Sequence, residues 1–324
     1  MRKKIVILFP CVGRRVSLLR AFRQACRSLG FDSVIVGSDT TENAAALQCC
    51  DKKYIVKPVT SPGYVRRITD IIKREKVRLI IPTIDLDLPV WAGRRRQLAK
   101  LGCLPLVSSP RVVEICQDKR KAFRFLRAHG FETPETISTR KALSLPRPKF
   151  PYFLKPWDGH ASRGNAVVHN RSELQFYARR IPNCLVQEYI DGREYTVDVL
   201  VDFDHRVRCV VPRLRIQTRS GEVSKSMTVK HPGIIAQSKR LVEALGAGPG
   251  VVTIQCFLTG DGRIRFIEIN PRFGGGVPLS IRAGARFPRW ILQLWLGKPA
   301  RIPMDRWKDG FTMLRYDEAV WLQR

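Results

Sequence analysis

The run "KIVILFP" at 4–10 contains no polar residue after its opening lysine. Successive strand residues face opposite sides of a sheet, so an unbroken apolar strand needs cover on both faces. That points to a parallel sheet flanked by helices. The residues that follow keep the pattern. Residues 16–29, "VSLLRAFRQACRSL", place apolar groups at helical spacing, and Gly30 ends the run. "SVIVGSD" (33–39) is a second strand, "YVRRITDIIKREK" (64–76) an amphipathic helix and "VRLIIPT" (77–83) a third strand. A helix near 89–101 and the strand "LPLVS" (104–108) complete an open, doubly wound array.

Beyond residue 110 the alternation stops. "SPRVVEICQD" and "KRKAFRFLRAHG" read as short helices, and the proline- and lysine-rich "KALSLPRPKFP" as a loop. "YFLKP" and "VVHN" read as strands around the glycine-containing "WDGHASRGNA". "CLVQEYI", "EYTVDVLVD", "VRCVVPRLRI", "VVTIQCFL" and "RIRFIEIN" follow as strands, with helices near 234–245 and 279–296. The fold class is therefore α/β plus α+β, with ligand clefts expected between domains. There is no internal repeat or low-complexity segment.

At 324 residues the chain exceeds one ordinary core. No apolar run reaches the roughly 18–20 residues of a membrane span. The opening "MRKKIVILFPCVGRRV" mimics a signal peptide, but two arginines close the apolar stretch and no cleavage site follows, so it reads as a buried strand. Nine cysteines form no C-x-x-C and no Cys/His cluster of zinc spacing, which suggests reduced thiols and a cytoplasmic protein. The net charge of +30 is spread along the chain, with "GRRRQ" (93–97) the densest cluster. A general attraction for anionic small molecules accounts for it. Binding to nucleic acid or an anionic surface stays open, because sequence does not reveal faces.

Several local groupings bear on chemistry. "VVTIQCFL-TGDG-RIRFIEIN" is a hairpin. With Gly260 and Asp261 as its loop, Gln255 faces Phe266, and Phe266, Glu268 and Asn270 share the face of Gln255. Ile254, Cys256, Ile267 and Ile269 make the apolar face. Gln255, Glu268 and Asn270 then form an oxygen-rich set suited to Mg2+; a merely polar outer face is the alternative. Lys155, ending the apolar "FLKP" before a glycine-containing loop, can reach a phosphate or simply snorkel. Glu188 and Glu194 flank the "DG" between two strands, where a nucleotide edge or an exposed hairpin both fit. Arg213, Arg215, Arg219, Lys225 and Lys230 lie near a polar loop, where a solvated basic hairpin and an anion-binding substrate loop both fit. Asp85 and Asp87 lie just past a strand end, where open sheets bind ligands. The first turn, "PCVGRRVS", has only Gly13 of the three glycines a dinucleotide fingerprint needs, which excludes NAD binding.

In order and spacing these pieces resemble the ATP-grasp superfamily, with the nearest likeness to single-unit, carbamoyl-phosphate-synthase-like proteins. The resemblance rests on "GRRVSLLRAF", "IPTIDLDLP", "SSPRVVEICQDK", "FLKP-x-DG", "VQEYIDGREYTVDV", "GEVSKSMTVK", "IQCF", "FIEINPRFGGGVPLS" and "TMLRYDEA", and covers nearly the whole chain. It implies a Rossmann-like pre-ATP-grasp domain (1–110), an ATP-grasp small subdomain and lid (111–185) and a large subdomain with the metal and phosphate site (186–324). It implies that Lys119 and Lys155 contact phosphates, that Glu188 with the Tyr189 and Ile190 backbone meets adenine, and that Glu194 meets ribose. Glu268 and Asn270, supported by Gln255, become ligands of Mg2+ or Mn2+, and Arg272 faces the transferred phosphoryl group. Arg14, Asp85, Arg213 and Lys225 become substrate candidates. The implied activity is an ATP- and Mg2+-dependent ligase that makes an acyl phosphate from a carboxylate and passes it to an amine. An acyl-phosphate-forming kinase and a basic nucleic-acid binder on the same fold are the alternatives. The chain departs from the pattern at "FPCVG", where relatives are richer in glycine, and at His160 and Ala161 in the lid loop. It has one ATP-grasp unit and no ammonia-supplying domain, so carbamoyl phosphate synthesis itself is not expected. The expected partners are small-molecule carboxylates and amines, and a homodimer would be the common assembly.

Overall fold

The computed structural model describes residues 3–159, 164–219 and 221–323; His160 and Ala161 lie outside them. The described chain forms three sheets. The first is parallel, built from β1 (Lys4–Phe9), β2 (Asp32–Asp39), β3 (Lys52–Ile55), β4 (Leu79–Ile80) and β5 (Leu104–Pro105) in the order β3-β2-β1-β4-β5. Strand order reverses between β1 and β4. The crevice at such a switch point, beyond the strands' carboxyl ends, is where open α/β sheets bind ligands. Here it is bordered by the turn leading to Arg15 and by the segment from Thr83 to Asp87. β3 escapes the hydropathy pattern because "KKYI" sits at the sheet edge with three of its four residues exposed. The expected helix over 89–101 divides at Arg94 into Leu88–Gly93 and Arg95–Lys100.

The second sheet is antiparallel, with β6 (Thr136–Ser138), β7 (Tyr152–Pro156), β8 (Ala166–Val168) and β9 (Cys184–Glu188) in the order β6-β9-β7-β8. The stretch expected as a loop from Lys141 instead enters a helix, Thr139–Ser144, capped by the Ser138 hydroxyl accepting from the Lys141 N–H. A further helix, Arg171–Arg180, capped by Asn170, was not expected. Only its Leu174 is buried, so its apolar period is weak.

The third sheet is antiparallel and six-stranded: β10 (Arg193–Val201), β11 (Val207–Arg219), β12 (Glu222–Thr228), β13 (Gly250–Leu258), β14 (Ile264–Asn270) and β15 (Thr312–Leu314), ordered β14-β13-β10-β11-β12-β15. The helices Pro110–Gln117 and Lys119–Ala128 pack on this sheet, burying Val112 and Leu126 with Phe266 and Ile269. The helix expected over 279–296 is broken at Gly284, whose φ of 119° excludes side-chain-bearing residues; Val277–Arg282 and Phe287–Trp295 result.

The β13–β14 register differs from the expected one. Gln255 pairs with Glu268, not Phe266. The turn is one residue wider, with Thr259 N–H donating to the Arg263 carbonyl. A bulge then interrupts the ladder between Gln255 and Cys256, leaving Ile267 without an opposite number. Gln255 and Glu268 stay on one face, while Phe266 is turned into the core beside Cys256, both fully buried, and Ile267 moves to the cleft wall.

One core joins the first domain to the end of the chain. Leu18, Leu19 and Phe22 of the helix Val16–Ser28 pack with Phe273, Phe287 and Ile291. The Phe22 and Phe273 rings meet edge-to-face, 5.8 Å between centroids. The four-stranded sheet keeps a small core of its own around Leu154, Val168, Leu174 and Val186.

Candidate active site

A cleft of about 830 Å³ opens between the three sheets. Strand alternation supplies its walls. On β7, Phe153 and Lys155 line the cleft, while Tyr152 and Leu154 enter the small core. Lys155 is 7% exposed, with Nζ 5.9 Å from the Phe153 ring centroid. Burial pushes its ammonium down to about 8, Glu268 opposes that fall, and the nearby charge of Lys119 adds to it. Lys119 opens a helix whose cap, Asp118, accepts from the Arg120 N–H at 2.9 Å. Its own N–H donates to the Trp157 carbonyl at 3.1 Å and its Nζ to the Gly159 carbonyl. The loop after β7 is thus tied to the first turn of that helix.

The opposite wall comes from the third sheet. Glu268 and Asn270 stand two residues apart on β14, paired with Gln255 and Thr253. Among the described residues Glu268 makes no ion pair of contact length, although it lies in the field of both Lys155 and Arg272. Glu194, on β10, accepts from Gln255 Nε2 at 2.8 Å and pairs with Arg215 Nε at 3.0 Å. Glu188, at the end of β9, accepts from Arg265 Nη2 at 2.6 Å, and its backbone is fixed to Glu135. Tyr189 is 44% exposed and Ile190 buried; both line the cleft.

Arg272 follows the β14 end and turns toward the first domain. Its Nε and Nη2 donate to Asp85 Oδ2 at 3.0 and 2.5 Å, and its Nη1 to the Phe273 carbonyl at 3.1 Å. Burial alone would lower its affinity for the proton, but Asp85, with the fields of Glu268 and Glu222, holds the guanidinium above its ordinary value. Asp85 therefore reaches the cleft as the partner of Arg272.

The other substrate candidates divide. Arg213 lines the base of the cleft but is 1% exposed, locked to Asp198 through bonds of 2.8 and 3.1 Å, with Ser280 completing the set. Arg14 is a rim residue, its side chain 73% exposed, and its neighbour Arg15 is the one that lines the cleft. Lys225 is exposed on β12, beside β15, and is not part of the lining. Arg15, Glu222, Thr196 and Asp198 were not singled out from sequence as site residues, and Arg215 was named only within the basic grouping around the polar loop. The polar positions 194, 196 and 198 on β10 and the arginines at 213 and 215 on β11 carry a period-two signal that marks them.

Gly274, Gly275 and Gly276 let neighbouring side chains approach the backbone closely. A Cβ at Gly274 would lie 2.9 Å from Thr253 Oγ1 and one at Gly275 2.6 Å from Arg15 Nη1, while one at Gly276 would strike Arg213 Nη1.

Behind Asp85 sits a fully buried carboxylate, Asp87. Neither of its oxygens has a partner of good hydrogen-bonding geometry. Burial pushes it up to about 7, partly eased by the neighbouring Trp91 indole.

No cluster of three or more His, Cys, Asp or Glu side chains suited to a metal occurs among the described residues. The donor set of Glu268, Asn270 and Gln255 fits a hard divalent cation only where phosphate oxygens and water supply the remaining ligands, the ordinary habit of Mg2+. No helix among the described residues is long and apolar enough to cross a membrane.

A parallel first domain followed by two antiparallel sheets that close on a cationic cleft is the architecture of a nucleotide-binding, multi-lobed α/β protein. Family models are more specific. One described as an ATP-grasp domain matches residues 116–276, and one described as a PylC-like N-terminal domain matches residues 7–106. The chain belongs to the ATP-grasp superfamily and carries a PylC-like first domain. It is 24% identical over 296 residues to the carbamoyl phosphate synthase large chain of Clostridium beijerinckii, covering 85% of this chain and 27% of that one. It is 26% identical over 259 residues to the D-alanine–D-alanine ligase of Petrotoga mobilis, covering 73% and 86%. The chain thus spans little more than a quarter of the carbamoyl phosphate synthase it matches. Among solved structures, the biotin carboxylase domain of the Hydrogenobacter thermophilus 2-oxoglutarate carboxylase superposes with a TM-score of 0.72 at 19% identity, covering 94% of this chain and 72% of that domain. That likeness concerns the fold.

Proposed function

We propose that the chain is an ATP- and Mg2+-dependent carboxylate–amine ligase. The observation that carries this reading is a single wall-to-wall arrangement: a buried lysine, Lys155, facing a carboxylate, Glu268, that makes no ion pair among the described residues, with Arg272 just past the end of the same strand. A cleft of about 830 Å³ falls in the range that holds a drug-sized ligand.

In this reading Lys119 and Lys155 hold the phosphates, while Glu188, the Tyr189–Ile190 backbone and Glu194 hold the nucleoside. Arg265, Arg215 and Gln255 fix the two glutamates. Glu268 and Asn270, with Gln255 behind them, hold the cation, which when bound neutralises charge on the phosphate oxygens. Asp85 and the Phe273 carbonyl orient Arg272 toward the phosphoryl group in flight. The carboxylate oxygen of one substrate attacks the γ-phosphorus, the bond to ADP breaks, and an acyl phosphate forms. The amine nitrogen then attacks the acyl carbon, the C–O bond to phosphate breaks, and the nitrogen gives up a proton. Alignment and charge neutralisation supply the catalysis.

The finer domain limits, 1–110, 111–185 and 186–324, belong to this proposal. All nine cysteines are free, five of them buried, which supports a cytoplasmic setting. The test is Glu268→Gln. The variant is expected to keep its circular dichroism and its unfolding transition while losing ADP formation; unchanged turnover refutes the assignment. Mg-ATP at a hundredfold excess over Kd should add about 2.7 kcal/mol to the stability of the unsubstituted protein.

A further inference from the structure

Three arginines that line the cleft are each matched to one carboxylate: Arg215 to Glu194, Arg213 to Asp198 and Arg272 to Asp85. Beyond Arg272 the matching ends. Arg14, Arg15 and Arg315 share one carboxylate, Glu222, at 3.5, 3.3 and 3.3 Å. Among the described residues the three arginines have no other ion-pair partner, which leaves positive charge in excess beside the phosphoryl-transfer end of the cleft, where Arg15, Glu222 and Gly275 line it.

The site is built from distant parts of the chain. Arg315 reaches the Gly275 carbonyl and, at 3.2 Å, the Val223 carbonyl. Gly275 lacks the Cβ that would displace Arg15. Arg15 is also the N-cap of the helix Val16–Ser28, which no side chain caps and whose first turn holds no acidic residue. Caps usually carry an acceptor, and the partial positive charge of a helix start favours anions. An arginine there adds charge of the same sign. Burial and the neighbouring arginines lower the hold of Arg15 on its proton, opposed only by Glu222. Such a grouping is stabilised by an incoming anion.

We infer that the carboxylate substrate bears a second anionic group, a carboxylate or a phosphate, which seats among Arg14, Arg15 and Arg315 beside Gly275 while its reacting carboxylate lies at Arg272. Glu222 sets the specificity: its charge offsets the repulsion among the arginines when the site is empty and competes with the anion for them. The inference rests on the ligase reading for the identity of the ligand, but not for the existence of an anion site.

The test uses the full chain in thermal melts, with and without saturating Mg-AMP-PNP, at constant ionic strength. Inorganic phosphate and succinate are the probes, with butyrate and chloride as controls. Phosphate or succinate is expected to raise Tm where butyrate and chloride do not, and the stronger of the two identifies the anion. Arg15→Met should weaken the apparent Kd about tenfold, the size of one charge-assisted contact. Glu222→Gln should tighten it by about as much, because three arginines then face a neutral amide. A purely structural Glu222 predicts the opposite sign. No response to either anion, an equal response to butyrate, or weaker binding by Glu222→Gln overturns the inference. Stabilisation by Mg-AMP-PNP is read from the same melts. Its loss counts against the ligase reading and leaves the anion result from the nucleotide-free melts standing.

Discussion

Nucleotide binding should be coupled to a proton on Lys155. In the free protein burial lowers this ammonium to about 8. A triphosphate beside it favours the charged form and should restore a value near the ordinary 10.5 or above. Binding then selects the protonated lysine. Linkage between these two values makes the apparent Kd for Mg-ATP about twofold weaker at pH 8 than in the fully protonated state, and about tenfold weaker at pH 9. At pH 8 about half a proton is taken up per nucleotide bound, and at pH 9 nearly a whole one. Isothermal titration calorimetry in two buffers of different ionisation enthalpy reads that uptake directly. Lys155→Arg supplies the control, because a guanidinium stays charged over this range and should give a flat profile. A Kd in the unsubstituted protein that does not move between pH 7 and 9, or binding without proton uptake, refutes the argument.

Other expectations can be checked on stability alone. Asp87 is held near 7 in the fold against an ordinary 3.8, so the folded protein keeps a proton that the unfolded chain releases. Stability is therefore lost as pH rises from about 4 to 7 and no further above. Asp87→Asn should abolish that slope, worth at most on the order of 4 kcal/mol, in denaturant titrations across this range. Gly276→Ala should cost about 1–3 kcal/mol in the same assay, because its methyl group strikes the Arg213 guanidinium. Asp198→Asn leaves Arg213 buried beside a neutral group and should cost about 3–5 kcal/mol.

The parallel domain was legible because β1 and β2 are apolar strands separated by a helix with a clear period. Lys155, Glu268 and Asn270 were legible as site candidates because each breaks an apolar strand on one face only. The edge strand β3 was hidden by its lysines, which a sheet edge tolerates and a sheet centre does not. The bulge at Ile267 was equally hidden, since it exists only in the pairing of β14 with β13. Two one-residue offsets in the same direction, in the turn and at the bulge, add to a shift of two, which kept Gln255 and Glu268 on one face and reversed Phe266 between them. Asp85 and Arg272 were each visible as charged residues near strand ends. Their bond, across 187 positions, follows from the docking of the first domain on the third sheet. The same holds for Arg15, Glu222 and Arg315, which no local window contains.

The shared core between the first helix and the last ones has a consequence for synthesis. Phe22 rests on Phe273, about 250 residues downstream. At about 5–20 residues per second, on the order of ten to fifty seconds separate their emergence from the ribosome. Throughout that interval Leu18, Leu19 and Phe22 have no partner surface from the end of the chain. The nascent first domain thus leaves that apolar face uncovered until residues 273–292 emerge. Chaperone occupancy on stalled chains should fall steeply only once residues 273–292 have cleared the exit tunnel.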